Sequence, residues 1–134
     1  MVFIKKCLGE KREMEKKKVN DPLYKSFQHA FDGIIAAIEA ERNMLIHIGV
    51  MCLVIVGGFI FDITVTEWIA CFVMFGLVIS SELINTAIEM AIDICSPGLN
   101  PKAKFCKDVS AGAVLINAII SVIVGLIIFI PYIL

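Results

Sequence analysis

No lysine or arginine occurs between positions 43 and 101 of this chain, although it contains twelve in all. Nine lie between Lys5 and Arg42, and the remaining three are Lys102, Lys104 and Lys107. With a formal net charge of −1 there is no global basic field, and nucleic acid is excluded as a partner. The five cysteines, Cys7, Cys52, Cys71, Cys95 and Cys106, include no Cys-x-x-Cys pair. Neither a zinc site nor a disulfide framework is indicated, and the cysteines read as small apolar or neutral residues. His29 and His47 are too isolated to be ligands and suit interfacial packing. Also missing are the Gly-x-x-x-x-Gly-Lys-Ser/Thr loop, Asp-Phe-Gly, Gly-x-Ser-x-Gly and His-Glu-x-x-His. Their absence excludes the familiar soluble nucleotide folds but not nucleotide chemistry, because phosphoryl transfer needs mainly positioning and charge neutralisation. Met1–Ile4 is too short for the apolar core of a cleavable signal, and no internal repeat is visible.

What is present is apolar. Of the 134 residues, 59% are hydrophobic, and the mean hydropathy is +0.89. A soluble chain this short has too little interior to hide so much apolar surface, so a membrane protein is expected. Met44 to Phe61 is a run of eighteen residues with His47 as its only polar side chain, nearly enough to cross a ~30 Å hydrocarbon core. A second run starts at Trp68 and keeps helical character to Asp93, and a third, from roughly Ala111 to Leu134, is interrupted only by Asn117 and Ser121. These predict three transmembrane helices, at about 44–61, 68–93 and 110–133, in an all-α membrane protein.

The link Asp62 to Glu67 carries two acids and no base, which places it outside; the amino-terminal arm and the segment around 94–109 are then cytoplasmic. Residues 1–21 are a charged cytoplasmic tail that cannot bury a core. From Asp21-Pro22, the residues Leu23, Phe27, Ala30, Phe31, Ile34, Ile35 and Ile38 recur at three- and four-residue steps. They predict an amphipathic surface helix over 22–42, closed by Glu41-Arg42-Asn43. Ser96-Pro-Gly-Leu-Asn-Pro101 must turn, and Lys107-Asp108 open the next helix on the same side. Gly57, Gly58 and Gly76 read as close-packing positions, and Asn117 and Ser121 as hydrogen-bonding across helices.

The informative residues are those that do not belong in a membrane. Glu82, Asn85, Glu89 and Asp93 fall within a wedge of roughly 80° on one helical face. An acid at mid-bilayer costs about 2.5–3.5 kcal/mol, so such a stripe needs a partner or a water-accessible rim, and it marks a functional site. With Asp93 near the cytoplasmic end, Glu89 lies about 6 Å and Glu82 about 16 Å deeper along the axis. Glu82 is then at the level of a lipid headgroup, whereas Glu89 faces the cytosol. Solvated ends of a protruding helix would serve equally well for Glu89 and Asp93.

The string Ser80-Ser-Glu-Leu-Ile-Asn-Thr-Ala-Ile-Glu-Met-Ala-Ile-Asp93, followed by Ala103-Lys-Phe-Cys-Lys-Asp-Val-Ser-Ala-Gly-Ala-Val114, resembles the signature of the prokaryotic diacylglycerol kinase family of small integral-membrane lipid kinases. Upstream, Ser26-Phe-Gln-His-Ala-Phe-Asp-Gly33 and Glu41-Arg-Asn-Met-Leu-Ile-His47 resemble its undecaprenol kinase branch in Gram-positive bacteria. The resemblance covers residues 22–134 and implies a lipid kinase domain there, forming a homotrimeric helical bundle in the bacterial cell membrane with active sites between subunits. It implies that Glu82 is the general base toward the lipid hydroxyl, that Asn85 orients the phosphates, and that Glu41 and Glu89 hold Mg²⁺ with ATP. Lys107 and Asp108 would serve the nucleotide phosphates and the site geometry. Where family members often carry an arginine toward the nucleotide, this chain has Pro22 and Lys25.

The expected activity is phosphorylation of a membrane lipid alcohol by ATP, with undecaprenol as the first acceptor and diacylglycerol as the alternative. A small oligomeric proton-coupled transporter would instead need a path open to both faces, and a non-catalytic anchor would need no aligned carboxylates.

Overall fold

The computed structural model describes residues 22–96, 98 and 100–134; the charged tail over 1–21, with Asp21 and Cys7, lies outside the described residues. Four helices succeed one another: α1 (Leu23–Ala40), α2 (Arg42–Ile60), α3 (Val65–Cys95) and α4 (Pro101–Ile133). The last three are long and apolar enough to cross a membrane. The chain divides into two compact units, one up to Ala36 and one from Ala37 to Leu134. In the first, the apolar side chains of Leu23, Tyr24, Phe27, Phe31, Ile34 and Ile35 are all exposed.

Within the second unit, α3 and α4 pack along one another and α2 lies more lightly on α3. At 1.5 Å per residue the 31 residues of α3 measure about 46 Å and the 33 of α4 about 50 Å, both well beyond a ~30 Å core. Their surplus length carries the polar stripe of α3 and the lysines of α4. The third apolar run thus belongs to a helix that begins at Pro101, with Asn100 as N-cap accepting from the Lys102 amide at 3.0 Å. Lys107-Asp108 accordingly lie inside α4 and do not open it. Arg42 and Asn43 open α2 and do not close the surface helix, because the backbone at Glu41 is extended (φ −113°, ψ 117°) and breaks the run.

At the opposite end, Asp62 has φ 51°, a left-handed conformation that a short polar side chain tolerates, and it turns the chain into α3. Thr64 and Glu67 form a reciprocal capping box, and the Tyr132 hydroxyl donates to the same Glu67 carboxylate at 2.8 Å, tying the end of α4 to the start of α3. Beneath this turn Ile63, Cys71 and Ile128 form a small buried cluster with Trp68, Phe75 and Phe129 packed around it. The four described cysteines are free thiols, with Cys71 buried in this cluster.

Gly58 is a close-packing position: a Cβ there would lie 2.7 Å from the Trp68 ring and 3.1 Å from Ile63. A Cβ at Gly57 would lie 3.3 Å from the Phe129 ring, whereas Gly76 has open space around it within the chain, contrary to expectation. A helical Gly→Ala change ordinarily gains up to about 1 kcal/mol. Gly58→Ala should instead destabilise by about 1–3 kcal/mol through overpacking against a rigid indole, measurable as a lower unfolding temperature in detergent micelles. Asn117 does hydrogen-bond across helices, to the Leu77 carbonyl at 3.4 Å. Ser121 does not; its hydroxyl donates to the Ala118 carbonyl of its own helix.

Candidate active site

The polar stripe of α3 is sorted by depth. Glu82 is the deepest acid and is 1% exposed, as is Met44 on α2, and these are the largest side chains so fully buried among the described residues. Its Oε1 has no hydrogen-bond partner. The groups that act on this carboxyl are His47 from α2, Glu41 from the α1–α2 turn and Glu89 from α3, with the Asn43 side chain as a hydrogen-bonding neighbour. The first turns of α2 therefore cover it. One turn further on, the Thr86 hydroxyl donates to the Glu82 backbone carbonyl at 3.0 Å and does not reach the carboxyl.

Asn85 sits at the junction of α3 and α4. Its Nδ2 donates to Glu89 Oε1 at 3.1 Å, and its Oδ1 accepts from the Ser110 hydroxyl at 2.6 Å. Lys107, one turn before Ser110, reaches across to the Asp93 carboxylate. The i, i+3 spacing of Lys107 and Ser110 places both on the α4 face that meets α3. Asp108, the next residue along, is turned away and pairs with Lys104 at 3.8 Å on the solvated side, where the two side chains are 64% and 80% exposed.

An open cleft of about 350 Å³ lies at the wet end of the stripe, lined by Glu41, Thr86, Glu89 and Asp93 with Ala40, Met90 and Ile94. The Glu41 side chain is free for it, because it makes no capping hydrogen bond to α2. Three carboxylates, Glu41 from the α1–α2 turn and Glu89 and Asp93 from α3, thus line one cleft, and Asp93 is engaged by Lys107. That donor set fits Mg²⁺, which keeps several waters and is held by one or two carboxylates together with substrate phosphates. Among the described residues no group of three or more acids, histidines or cysteines forms a self-sufficient metal site. A metal arriving with a nucleotide is the chemistry the donors suit.

Of the residues singled out in the sequence, Glu41, Glu89 and the upper stripe are brought to one cleft, Glu82 lies buried below it, Asn85 links Glu89 to α4, and Lys107 closes the α3–α4 side. Asp108 is not brought there. Sequence analysis assigns no role to Ser110, takes Asn43 only as closing the surface helix, and takes His47 only as interfacial packing. The i, i+3 relation of Ser110 to Lys107 was the available signal for the first; nothing in the spacing of α2 against α3 announced the other two.

Comparison with known proteins identifies the family. The family model for prokaryotic diacylglycerol kinase matches residues 28–129, an interval containing every residue of the candidate site. The chain is 43% identical over 108 residues to the undecaprenol kinase of Bacillus subtilis, covering 81% of this chain and 88% of that protein. It is 33% identical over 120 residues to a diacylglycerol kinase of Synechocystis, covering 87% of this chain and 69% of that one. With matches of this extent to both a family model and full-length relatives, the chain belongs to the prokaryotic diacylglycerol kinase family.

Proposed function

We propose that this protein phosphorylates undecaprenol at the membrane surface with ATP, giving undecaprenyl phosphate and ADP, with diacylglycerol as the alternative acceptor. The observation that carries this reading is Glu82: a buried carboxylate with an oxygen left without a partner. Burying such a group is costly, and a hydrogen-bond partner from outside the chain would offset that cost. A lipid hydroxyl at headgroup depth would supply it. Undecaprenol is favoured over diacylglycerol by the higher identity to the Bacillus enzyme.

In the reaction the hydroxyl oxygen attacks the γ-phosphorus, its proton passes to the Glu82 carboxylate, the bond from that phosphorus to the β,γ-bridging oxygen breaks, and ADP leaves. Asn85 orients the transferred group from beside the base. Lys107, released from Asp93, donates to the phosphates, and Asp108 with Lys104 steadies the start of α4. Mg²⁺ bound through Glu41 and Glu89 would offset the charge of the phosphates during transfer.

The exposed apolar face of α1 suits a helix lying on the cytoplasmic membrane surface, and the basic residues at both cytoplasmic segments suit a cytoplasmic amino terminus. A homotrimer, as the family resemblance implies, would close the open side of the cleft with a neighbouring subunit. Transport of protons is disfavoured, because below Glu82 the buried side chains of α3 are Val78, Met74 and Cys71, which offer no polar route to the other face.

The test is transfer of labelled γ-phosphate from Mg-ATP by purified protein in mixed micelles containing undecaprenol or diacylglycerol. Faster transfer to undecaprenol is expected; faster transfer to diacylglycerol would move the assignment to the alternative. No transfer to either lipid from folded protein would overturn the kinase reading for these substrates.

A further inference from the structure

We infer that Ser110 on α4 is a positioning residue for phosphoryl transfer, setting the Glu89 carboxylate through the Asn85 amide. The inference rests on the reading of Glu89 as a ligand of Mg²⁺ with ATP. Its basis is a directed hydrogen-bond chain between two helices: the Ser110 hydroxyl donates to Asn85 Oδ1 at 2.6 Å, and Asn85 Nδ2 donates to Glu89 Oε1 at 3.1 Å.

Each link fixes the next. A carboxylate accepts only, so it selects the amide orientation with Nδ2 toward Glu89. That orientation presents Oδ1 toward α4, where it needs a donor. Ser110 supplies it, removing the remaining rotational freedom of the amide and polarising it so that its N–H is a stronger donor to the carboxylate. The relay engages Oε1, one of the two Glu89 oxygens, and so sets the plane of the carboxylate toward the cleft shared with Glu41. The same hydroxyl lies 2.9 Å from the Lys107 carbonyl, so its proton is shared with the turn of α4 that carries Lys107. Partners that orient metal-binding carboxylates in this way commonly change metal affinity about 10–100-fold when removed.

The test uses the full chain in micelles with Ser110→Thr and Ser110→Val, two side chains of the same shape that differ in the hydroxyl. Three quantities are read: the Mg²⁺ concentration giving half-maximal transfer, the KM for the lipid, and the rise in unfolding temperature caused by Mg²⁺ with a non-hydrolysable ATP analogue. The valine variant should need about tenfold more Mg²⁺ with an unchanged lipid KM, and should show a smaller analogue-induced rise. The threonine variant should match the wild type in all three. Should valine fail to fold, Ser110→Ala against threonine makes the same comparison.

Equal Mg²⁺ requirements and equal analogue-induced rises in the two variants would overturn the inference and leave Ser110 a packing residue of α4. Glu89→Gln measured alongside separates the two levels. If it shifts the Mg²⁺ requirement while the valine variant does not, the Ser110 inference alone falls; if it shifts nothing, the Glu89 reading falls and carries this one with it.

Discussion

Glu82→Gln should lower the rate of phosphoryl transfer by about 10²–10⁴-fold while leaving the protein at least as stable as the wild type. The rate loss is the usual contribution of a positioned general base, since glutamine keeps the shape of the side chain but cannot take the hydroxyl proton. The stability arises from burial: Glu82 is almost wholly inaccessible and one of its oxygens is unsatisfied, so exchanging an ionisable group for a neutral one removes a desolvation cost. The pair of outcomes is diagnostic, because a carboxylate kept for function is commonly a liability for the fold. Rates of labelled transfer beside unfolding temperatures in micelles check both. A variant that is destabilised yet fully active would identify Glu82 as a structural residue and remove the base from the mechanism.

Glu89→Gln should lower kcat/KM for Mg-ATP by about 10²-fold or more, with part of the loss restored by raising Mg²⁺. Glu89 carries two duties that fail together. It lines the cleft with Glu41 and Asp93, where on the proposed reading it holds the metal with Glu41, and it is the acceptor that sets Asn85. Glutamine can present its amide nitrogen to the Asn85 Nδ2, a donor against a donor, so the amide chain to Ser110 loses its direction. Glu41→Gln removes a charge from the same cleft but breaks no hydrogen bond to α2, because Glu41 caps nothing. Its loss should therefore be smaller and more fully restored by Mg²⁺. Titrating Mg²⁺ at fixed ATP for the three proteins tests the ordering; a Glu89→Gln enzyme with wild-type Mg²⁺ dependence would remove the metal role from that residue.

The membrane class and the site face were legible along the chain because both are periodic. Apolar runs of membrane-spanning length identify themselves, and acids at Glu82, Glu89 and Asp93 stand out because hydrocarbon tolerates few of them. Helix ends were less legible. Lys102, Lys104 and Lys107 resemble a polar loop in hydropathy, yet Asn100 and Pro101 start a helix before them, because a capping side chain and a preset proline φ outweigh the polarity of the first two turns. Glu41, read as part of the surface helix, is the break between two helices, and that break is what frees its carboxylate for the cleft.

What the sequence by itself determined is therefore the make-up of the polar stripe: which acids share one face of α3, and how far each lies along its axis. These are consequences of helical pitch, a local property that spacing reveals directly. Only the tertiary structure decided the pairings. That Lys107 meets Asp93, that Ser110 donates to Asn85, and that Asn43 and His47 lie near Glu82 all depend on the rotation and offset of one helix against another. Those are set by side-chain packing between different helices, such as Gly58 against Trp68 and Asn117 against Leu77, and no periodicity within a single segment encodes them.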